Sequence, residues 1–159
     1  MIAVRPAQLP ADKPVLLEFI IGLQRFEAEF ESDRRLDPSY AEDQFADLMR
    51  NFDNGAIFIA EDEGRAVGWV MVYETEGRAY VIAEERRQAM ICELFVEPKM
   101  RGKGVGQALL AACEDWARGR GISVIHIGHL SENARASEVY DKSGYAPYVL
   151  LRRKRLYDQ

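Results

Sequence analysis

Cysteine and histidine are scarce in this chain, which has two of each among 159 residues. Cys92 and Cys113 fall in a predicted strand and a predicted helix of the core, so we expect buried free thiols and a reducing, cytoplasmic location. Neither cysteine has the spacing of a metal ligand to a histidine or to the other cysteine. The sequence therefore predicts no metal site.

Long hydrophobic runs and an excess of positive charge are also missing. No apolar run approaches the roughly 20 residues that span a bilayer, and residues 1–6 lack the apolar stretch of a signal peptide. The formal net charge is −5, whereas nucleic-acid binding relies on an excess of lysine and arginine. We therefore expect no membrane segment and no nucleic-acid partner. We interpret the basic run at 152–155 as part of a solvent-exposed last strand.

The order of predicted elements indicates one mixed α/β domain over residues 1–159. The first helix opens at Asp12, and its apolar residues form one stripe: Leu16, Phe19, Leu23, Phe26 and Phe30. The other predicted elements are strand 2–5, helix 40–51, strands 56–61, 66–74 and 89–96, helix 105–118, strand 122–127, helix 133–143 and a last strand region, 145–156. The polar stretch 75–88 is either a long hairpin loop or an extension of both flanking strands.

A glycine-rich loop, Arg101-Gly102-Lys103-Gly104-Val105-Gly106, stands between a predicted strand and a predicted helix. The first N–H groups of a helix lack partners, and the helix dipole is positive at that end. Glycines let an anion approach the backbone closely, and Arg101 and Lys103 add positive charge. The loop therefore predicts a site for a phosphorylated ligand. A glycine-rich turn without a ligand is the alternative.

Two common phosphate-binding loops do not match this spacing. A P-loop has four residues between its glycines, followed by Lys and then Ser or Thr, whereas Gly106 is followed by Gln107. A dinucleotide fingerprint that starts at Gly102 or Gly104 needs a third glycine where Gln107 or Leu109 stands. Neither a P-loop site nor a Rossmann-type site is therefore predicted.

A second segment, residues 131–145, begins with residues that favour a helix N-cap and ends with a glycine suited to helix termination. Together the two segments resemble the GNAT superfamily of acyl-CoA-dependent N-acetyltransferases, whose motif residues are matched by Arg101, Gly104, Gly106, Asn133, Ala136, Tyr140, Gly144 and Tyr145. The resemblance covers roughly residues 55–148. It implies a central, mostly antiparallel, twisted sheet flanked by helices, and acetyl-CoA as the acyl donor.

The resemblance also implies which residues hold acetyl-CoA. Main-chain groups of Leu94 and Val96 would pair with the pantetheine amides as an added strand does, and one N–H there would polarise the thioester carbonyl. The N–H groups of the loop would hold the pyrophosphate, and Asn133 would contact the pantetheine arm from the other side. The full predicted set is Leu94, Phe95, Val96, Arg101, Gly102, Lys103, Gly104, Val105, Gly106, Asn133 and Ser137.

Acetyl transfer from a thioester to an amine needs a neutral amine and a proton for the departing thiolate. An alkylamine with a pKa near 10.4 is neutral only about once in two thousand molecules at pH 7, a deficit of roughly 4–5 kcal/mol, so a base is expected. The resemblance implies direct transfer in a ternary complex, with Tyr140 near the sulfur as the proton donor. A tyrosine that only packs into the core is the alternative.

Two residues compete for the role of the base. Glu93 lies on the strand that, by the resemblance, carries the pantetheine arm, and strand alternation places it on the face opposite Cys92 and Leu94. His129 follows strand 122–127, and an ordinary histidine pKa suits proton transfer near neutrality. A solvated carboxylate and a packed histidine are the alternatives.

Carboxylates near the first helix favour an acceptor site for the amine of a small molecule. Glu27 and Glu31 share a helix face at i, i+4, and the aromatic Phe30 beside Glu31 either lines the pocket or packs in the core. A solvated acidic helix end is the alternative structural interpretation, and a protein N-terminus or lysine is the alternative acceptor. A non-catalytic acyl-CoA sensor, an interaction domain, and a homodimer formed through an edge or terminal strand also remain open.

Overall fold

Strands and helices succeed one another along residues 1–157, the part of the chain that the structure, a computed structural model, describes. The strands are β1 (Ile2–Pro6), β2 (Gly55–Asp62), β3 (Arg65–Glu76), β4 (Arg87–Val96) and β5 (Val124–Ile127). The helices are α1 (Lys13–Glu27), α2 (Tyr40–Met49), α3 (Val105–Gly119) and α4 (Ala134–Lys142). The polar stretch 75–88 extends both β3 and β4 by two residues and forms the loop between them.

The five strands form one sheet in the order β1-β2-β3-β4-β5. The pairs β1–β2, β2–β3 and β3–β4 are antiparallel, and β4 and β5 are parallel. Helix α3 supplies the crossover that a parallel pair requires. This arrangement confirms the predicted α/β fold, with a mostly antiparallel sheet flanked by helices.

Helices cover both faces of the sheet, because successive side chains of a strand point to opposite sides. Trp69 and Met71 of β3 pack with α1 and α2, whereas Val70 and Val72 pack with α3. The buried helix residues are Leu16, Phe19, Ile20, Ala41, Phe45 and Leu48 on the first side, and Val105, Leu109, Leu110, Cys113 and Ala117 on the second. Burial of each large apolar side chain contributes about 1.5–3 kcal/mol to the stability of the fold. These two apolar layers therefore hold the strands of the sheet in place.

Strand β4 contains a bulge at Glu93. The pairs Met71–Cys92 and Trp69–Phe95 leave one more residue between them on β4 than on β3. Glu93 takes up the extra residue with a φ of +57°, in the left-handed region that a non-glycine residue rarely adopts. The bulge follows directly after Ile91 and Cys92, where the pairing of β4 with β5 ends.

The predicted last strand, 145–156, is not formed. After α4 the chain turns at Gly144, whose φ is +87°, and every residue from 146 to 157 is exposed and outside the sheet. The residue types favour a strand, but a strand also needs a partner edge for its N–H and C=O groups. Among the described residues the segment pairs with no such edge.

Both cysteines are free thiols; Cys113 is buried and Cys92 is half-buried. Burial raises the pKa of both, that of Cys92 to about 12. Neither thiol is therefore ionised to a useful extent at neutral pH. None of the helices in residues 1–157 has the length and apolar character needed to cross a membrane.

Candidate active site

The glycine loop, residues 101–106, leads into the N-terminus of α3. Gly102 and Gly104 have φ angles of +77° and +83°, in the region that favours glycine because it has no Cβ. Within residues 1–157, no backbone carbonyl accepts a hydrogen bond from the N–H groups of residues 102–107. These groups are therefore free to bind an anion at the positive end of the helix dipole.

A cleft of about 410 Å³ runs between the end of β4, the glycine loop and α4. It opens because β5 pairs with β4 only as far as Ile91, so that residues 92–96 of β4 have no strand on that side in the described part of the chain. A free strand edge presents N–H and C=O groups to an extended ligand. The predicted cofactor residues in its lining are Leu94, Phe95, Val96, Arg101, Gly102, Gly104, Val105, Gly106 and Asn133.

Two residues of the predicted cofactor set lie outside this lining. Lys103 is exposed, while its neighbours Gly102 and Gly104 line the cleft. Ser137 is one of three α4 residues, with Ala134 and Asp141, that do not line the cleft; their spacing of three and four places them on one face of the helix. Asn133 caps α4 by accepting a hydrogen bond from the Ala136 N–H at 3.1 Å, so its amide NH₂ group is the part free for a ligand.

The side chain of Arg101 is engaged with the protein rather than free in the loop. Its Nε donates to the Val96 carbonyl at 3.2 Å, and its guanidinium carbon lies 5.0 Å from the centre of the Phe26 ring and 5.9 Å from that of Phe95. Burial, and to a lesser extent the charge of Arg135, lower its pKa. Arg101 therefore ties the loop to β4 and α1, and it bonds the carbonyl of Val96, one of the two residues whose main chain the resemblance assigns to the pantetheine arm.

A smaller cavity, of about 90 Å³, adjoins the cleft. Four residues line both spaces: Leu23, Leu94, Asn133 and Tyr140. The cavity is otherwise lined by Glu27, Ile91, Cys92, Glu93, Ile127, Gly128 and His129. The three residues predicted to be catalytic, Glu93, His129 and Tyr140, are thus brought together at one cavity.

Glu93 reaches the cavity because of the bulge. A regular strand would place Cys92 and Leu94 on one face of the sheet and Glu93 on the other. With the bulge, Cys92 packs on the α1–α2 side and Leu94 on the α3 side, and all three residues line the cavity. Gln44 Nε2 donates to Glu93 Oε1 at 2.7 Å, whereas Glu93 Oε2 is buried and has no hydrogen-bond partner in the described residues.

The surroundings of Glu93 suit proton exchange near neutrality. Burial raises its pKa to about 7; the hydrogen bond from Gln44 acts in the opposite direction, and the charge of Glu27 adds to the increase. At neutral pH both forms of the carboxyl group are therefore populated, and the carboxylate form is able to accept a proton.

Tyr140 and His129 lie together on the other wall of the cavity, with ring centres 5.7 Å apart. Burial, together with the charge of Glu27, raises the pKa of Tyr140 to about 12, so the phenol is protonated at neutral pH. His129 Nδ1 lies 2.8 Å from the Leu130 carbonyl oxygen. This contact places a proton on Nδ1, which leaves Nε2 without one when the ring is neutral.

Of the three residues predicted to bind the acceptor, only Glu27 lines the cavity. Helix α1 ends at Glu27, three residues before the apolar stripe of the sequence ends, so Phe30 and Glu31 leave the helical face. Phe30 packs edge-on against Phe26, with ring centres 5.2 Å apart, and Glu31 forms an ion pair with Arg153. Glu27 itself lies 3.4 Å from Arg34 Nε.

Gln44, the hydrogen-bond donor to Glu93, is a residue of the candidate site that the sequence analysis missed. It lies on α2, 49 positions before the glutamate that it contacts, and an amphipathic pattern does not indicate the partner of a polar residue. Arg135 and Gln107 also line the cleft. Gln107 comes directly after the glycine loop, and this position was the one feature of the sequence that could have indicated it. No group of three or more His, Cys, Asp or Glu residues within 1–157 is arranged to hold a metal ion.

The model of the Acetyltransferase (GNAT) family matches residues 23–145, which contain the bulged strand, the glycine loop and α4. The chain belongs to this family. Its members transfer acetyl groups from acetyl-CoA, so the predicted family and the predicted type of donor agree with this match.

Two relatives are named acetyltransferases. The uncharacterized N-acetyltransferase YhfO of Bacillus subtilis (strain 168) is 32% identical over 56% of this chain and 57% of YhfO. A mycothiol acetyltransferase of Amycolatopsis mediterranei (strain U-32) is 34% identical over 65% of this chain and 35% of that protein. The chain spans about half the length of the curated relatives it matches.

Among solved structures, a predicted acetyltransferase with acetyl-CoA from Clostridium acetobutylicum superposes with a TM-score of 0.73. The superposition covers 98% of this chain and 97% of that chain at 18% sequence identity. At this identity the likeness shows the GNAT fold alone.

Proposed function

We propose that this GNAT protein transfers the acetyl group of acetyl-CoA to a primary amine of a small molecule, by direct attack in a ternary complex. The observation that carries the proposal is the position of Tyr140, which lines both the cleft and the small cavity. In that cavity the phenol is joined by Glu93, whose pKa is raised to about 7. This geometry supports Tyr140 as the acid at the junction of the two spaces and Glu93 as the base in the adjoining cavity.

The cleft has groups that fit acetyl-CoA. The free N–H groups of residues 102–107 suit a pyrophosphate, and the unpaired edge of β4 suits the amides of a pantetheine arm. Leu94 would hold the arm up to the junction with the cavity. When bound, acetyl-CoA supplies the acyl group and a thiolate leaving group.

The reaction then requires this chain to move two protons. Glu93 accepts a proton from the attacking nitrogen, directly or through a water molecule, on the oxygen that has no partner in the protein. A nitrogen–carbon bond forms and the carbon–sulfur bond breaks. Tyr140 donates its phenolic proton to the departing sulfur and later regains a proton from solvent, while Glu93 releases the proton that it accepted. Because both reactants are held together, much of the rate comes from their proximity.

Two other groups at the cavity are less suited to these roles. Cys92 has a pKa of about 12, so its thiolate is scarce and a covalent acyl-cysteine is disfavoured. His129 is exposed and makes its closest ring contact with Tyr140. We assign it to positioning that phenol rather than to the role of the base.

A cationic acceptor fits the charge of the cavity. Glu27 and Glu93 both contribute carboxyl groups, and no lysine or arginine is in the lining. The volume of about 90 Å³ suits the amine end of a molecule rather than a folded peptide segment. The remainder of the acceptor would lie toward α1 and α2, which carry Glu27 and Gln44.

The test is release of free thiol from acetyl-CoA in the presence of polyamines, aminoglycosides, amino acids, short peptides and the amine precursor of mycothiol. Release with one class of small-molecule amine, and acetylation of its nitrogen shown by mass spectrometry, is the expected result. Release only with peptides would overturn the small-molecule acceptor. No release from any acceptor, with CoA still raising the melting temperature, would favour the acyl-CoA sensor.

A further inference from the structure

A chain of charged side chains leads from the small cavity to the surface of the protein. It begins at Glu27, the cavity residue at the end of α1. Arg34 Nε lies 3.4 Å from Glu27 Oε1, and Arg34 Nη1 also pairs with Asp33. Asp33 accepts a second hydrogen bond, of 2.8 Å, from Arg153 Nη1, and Arg153 pairs with Glu31 as well. Acidic and basic groups therefore alternate over all five residues.

The link between Arg34 and Glu27 is the loosest of the four. Its length of 3.4 Å exceeds the usual range of about 2.7–3.2 Å for an N–H···O hydrogen bond, and every other link is shorter. Asp33 is shared by both arginines. Desolvation raises its pKa, but the charges of Arg34 and Arg153 outweigh this effect and lower it. Arg34 is thus held closely by Asp33 and loosely by the carboxylate of the cavity.

Arg34 brings a positive charge to a cavity whose lining contains none. Glu27 and Glu93 line the cavity, and no lysine or arginine does. A protonated amine that entered the cavity would share the Glu27 carboxylate with Arg34, and two like charges on one carboxylate repel each other. The side chains of Arg34 and Glu27 are only 24% and 26% exposed, so water and salt screen this repulsion in part.

We propose that Arg34 determines acceptor specificity by competing with the cationic amine of the acceptor for Glu27. The inference rests on the proposed function, because it takes the cavity to be the acceptor site. Only a strongly basic amine, protonated at neutral pH, gains enough from Glu27 to displace Arg34. The acceptor class is therefore an aliphatic primary amine that enters as a cation and then gives its proton to Glu93.

The same chain of charges couples acceptor binding to the C-terminal segment. An amine at Glu27 moves Arg34 toward Asp33, whose other partner is Arg153. Conversely, when Arg153 lets go of Asp33, that carboxylate attracts Arg34 more strongly and Glu27 is left to the amine. Because binding free energies are reciprocal, each event favours the other.

The first test uses propylamine, a small amine that is protonated at neutral pH. Its Kd is measured by NMR from the backbone amide of Gly128, which lines the cavity and is present in every variant. Arg34→Gln is expected to bind propylamine about three- to tenfold more tightly than the wild-type protein. Arg35→Gln is the matched control, because the neighbouring Arg35 pairs with two other aspartates. An unchanged Kd or no shift in Arg34→Gln, an equal gain in Arg35→Gln, or equal binding of the neutral propan-1-ol would overturn the proposal.

The second test concerns the coupling. Arg153→Gln is expected to tighten propylamine binding about twofold, and to add nothing in the double variant with Arg34→Gln, because Arg153 acts through Arg34. Arg155→Gln removes the same charge from the same segment, and Arg155 has no ion pair with another residue of the described part. Equal effects of Arg153→Gln and Arg155→Gln, or additive effects in the double variant, would overturn the coupling.

These measurements separate binding from acetyl transfer. If propylamine binds as expected but no amine gives release of thiol from acetyl-CoA, the proposed reaction fails and the competition at Glu27 stands. If an amine gives release of thiol but its KM is the same in Arg34→Gln as in the wild-type protein, the reaction stands and the competition fails.

Discussion

Gln44 Nε2 on α2 donates a hydrogen bond of 2.7 Å to Glu93 Oε1 on the bulge of β4. Burial is the main cause of the raised pKa of Glu93, and this bond is the largest influence that opposes it. Gln44 thereby acts on the proposed base and not on a substrate. The pH at which the protein works should depend on a side chain of a helix that lies on the face of the sheet away from α3.

Replacing Gln44 with leucine should move the acidic limb of the rate profile to higher pH. Without the donated hydrogen bond, the ionised form of Glu93 loses stabilisation, so its pKa rises above about 7. The measurement is the pH dependence of kcat/KM. Glu42→Gln is the control on the same helix, because Glu42 is exposed and its one ion pair within residues 1–157 is with Lys13. An unchanged midpoint in Gln44→Leu would contradict the assigned role of Gln44.

Glu27→Gln should have the opposite effect on the same profile. The negative charge of Glu27 raises the pKa of Glu93, so its removal lowers that pKa and moves the acidic limb to lower pH. The same change removes an anionic group from the cavity and should raise KM for a cationic amine. If KM for acetyl-CoA rises instead, Glu27 does not belong to the acceptor site.

Glu93→Gln should abolish most acetyl transfer while stabilising the protein above neutral pH. The pKa of Glu93 rises from 4.5 in the unfolded chain to about 7 in the fold. Between these values the folded chain binds more protons than the unfolded chain, so stability falls as pH rises through this window. The loss of unfolding free energy reaches at most ~3 kcal/mol at pH 8. The Glu93→Gln variant does not lose this stability, because glutamine does not ionise.

Urea unfolding of wild-type protein and Glu93→Gln at pH 5 and pH 8 measures this difference. The gain in unfolding free energy should be present at pH 8 and small at pH 5. A gain of equal size at both pH values would show that the substitution acts through packing and not through ionisation. Turnover should fall at least about 10²-fold, the usual contribution of a general base.

Tyr140→Phe should lower turnover by about 10²-fold or more, with little effect on CoA affinity or stability. Within residues 1–157 the Tyr140 hydroxyl makes no hydrogen bond in the protein, so phenylalanine preserves its contacts. Tyr145→Phe is the matched control. It removes a hydrogen bond to Glu114 and should cost about 0.5–1.5 kcal/mol of stability while leaving turnover in place. Wild-type turnover in Tyr140→Phe would remove the proposed acid.

Gly104→Glu should abolish binding of CoA, measured as the increase in melting temperature on adding CoA. The new carboxylate would lie in the cleft among the N–H groups proposed to hold the pyrophosphate, and it would repel the phosphates. Gly64→Glu provides the comparison, since its φ of +78° is close to the +83° of Gly104 and it lies on the β2–β3 turn. Both variants should lose about 1–2 kcal/mol from backbone strain. Retained binding by Gly104→Glu would contradict the assigned loop.

Local patterns in the sequence predict most of the fold and one part of the site. The apolar stripe of α1 follows from the helical period, and the left-handed positions Gly102 and Gly104 follow from the residue type. The prediction of a last strand at 145–156 was wrong, because the strand preference of the residues does not show whether an edge of the sheet is close enough to pair with them. The pairing of Gln44 with Glu93 depends on how α2 packs, which no short pattern encodes.

The bulge was also beyond local prediction, because a glutamate at a φ of +57° has no characteristic neighbours in sequence. Its effect extends along β4. Ala89 and Ile91 face α3, whereas Phe95, which a regular strand would place on the same side, faces α1. Residue 93 therefore supplies a carboxyl group and is also the extra residue of the bulge. Without residue 93 the residues from Ile91 to Val96 would alternate regularly, so deleting it would leave Leu94 and Phe95 on their present sides of the sheet. A regular strand that kept residue 93 would instead exchange their sides. The strand therefore packs without needing residue 93, and this position is left to carry a carboxyl group into the cavity.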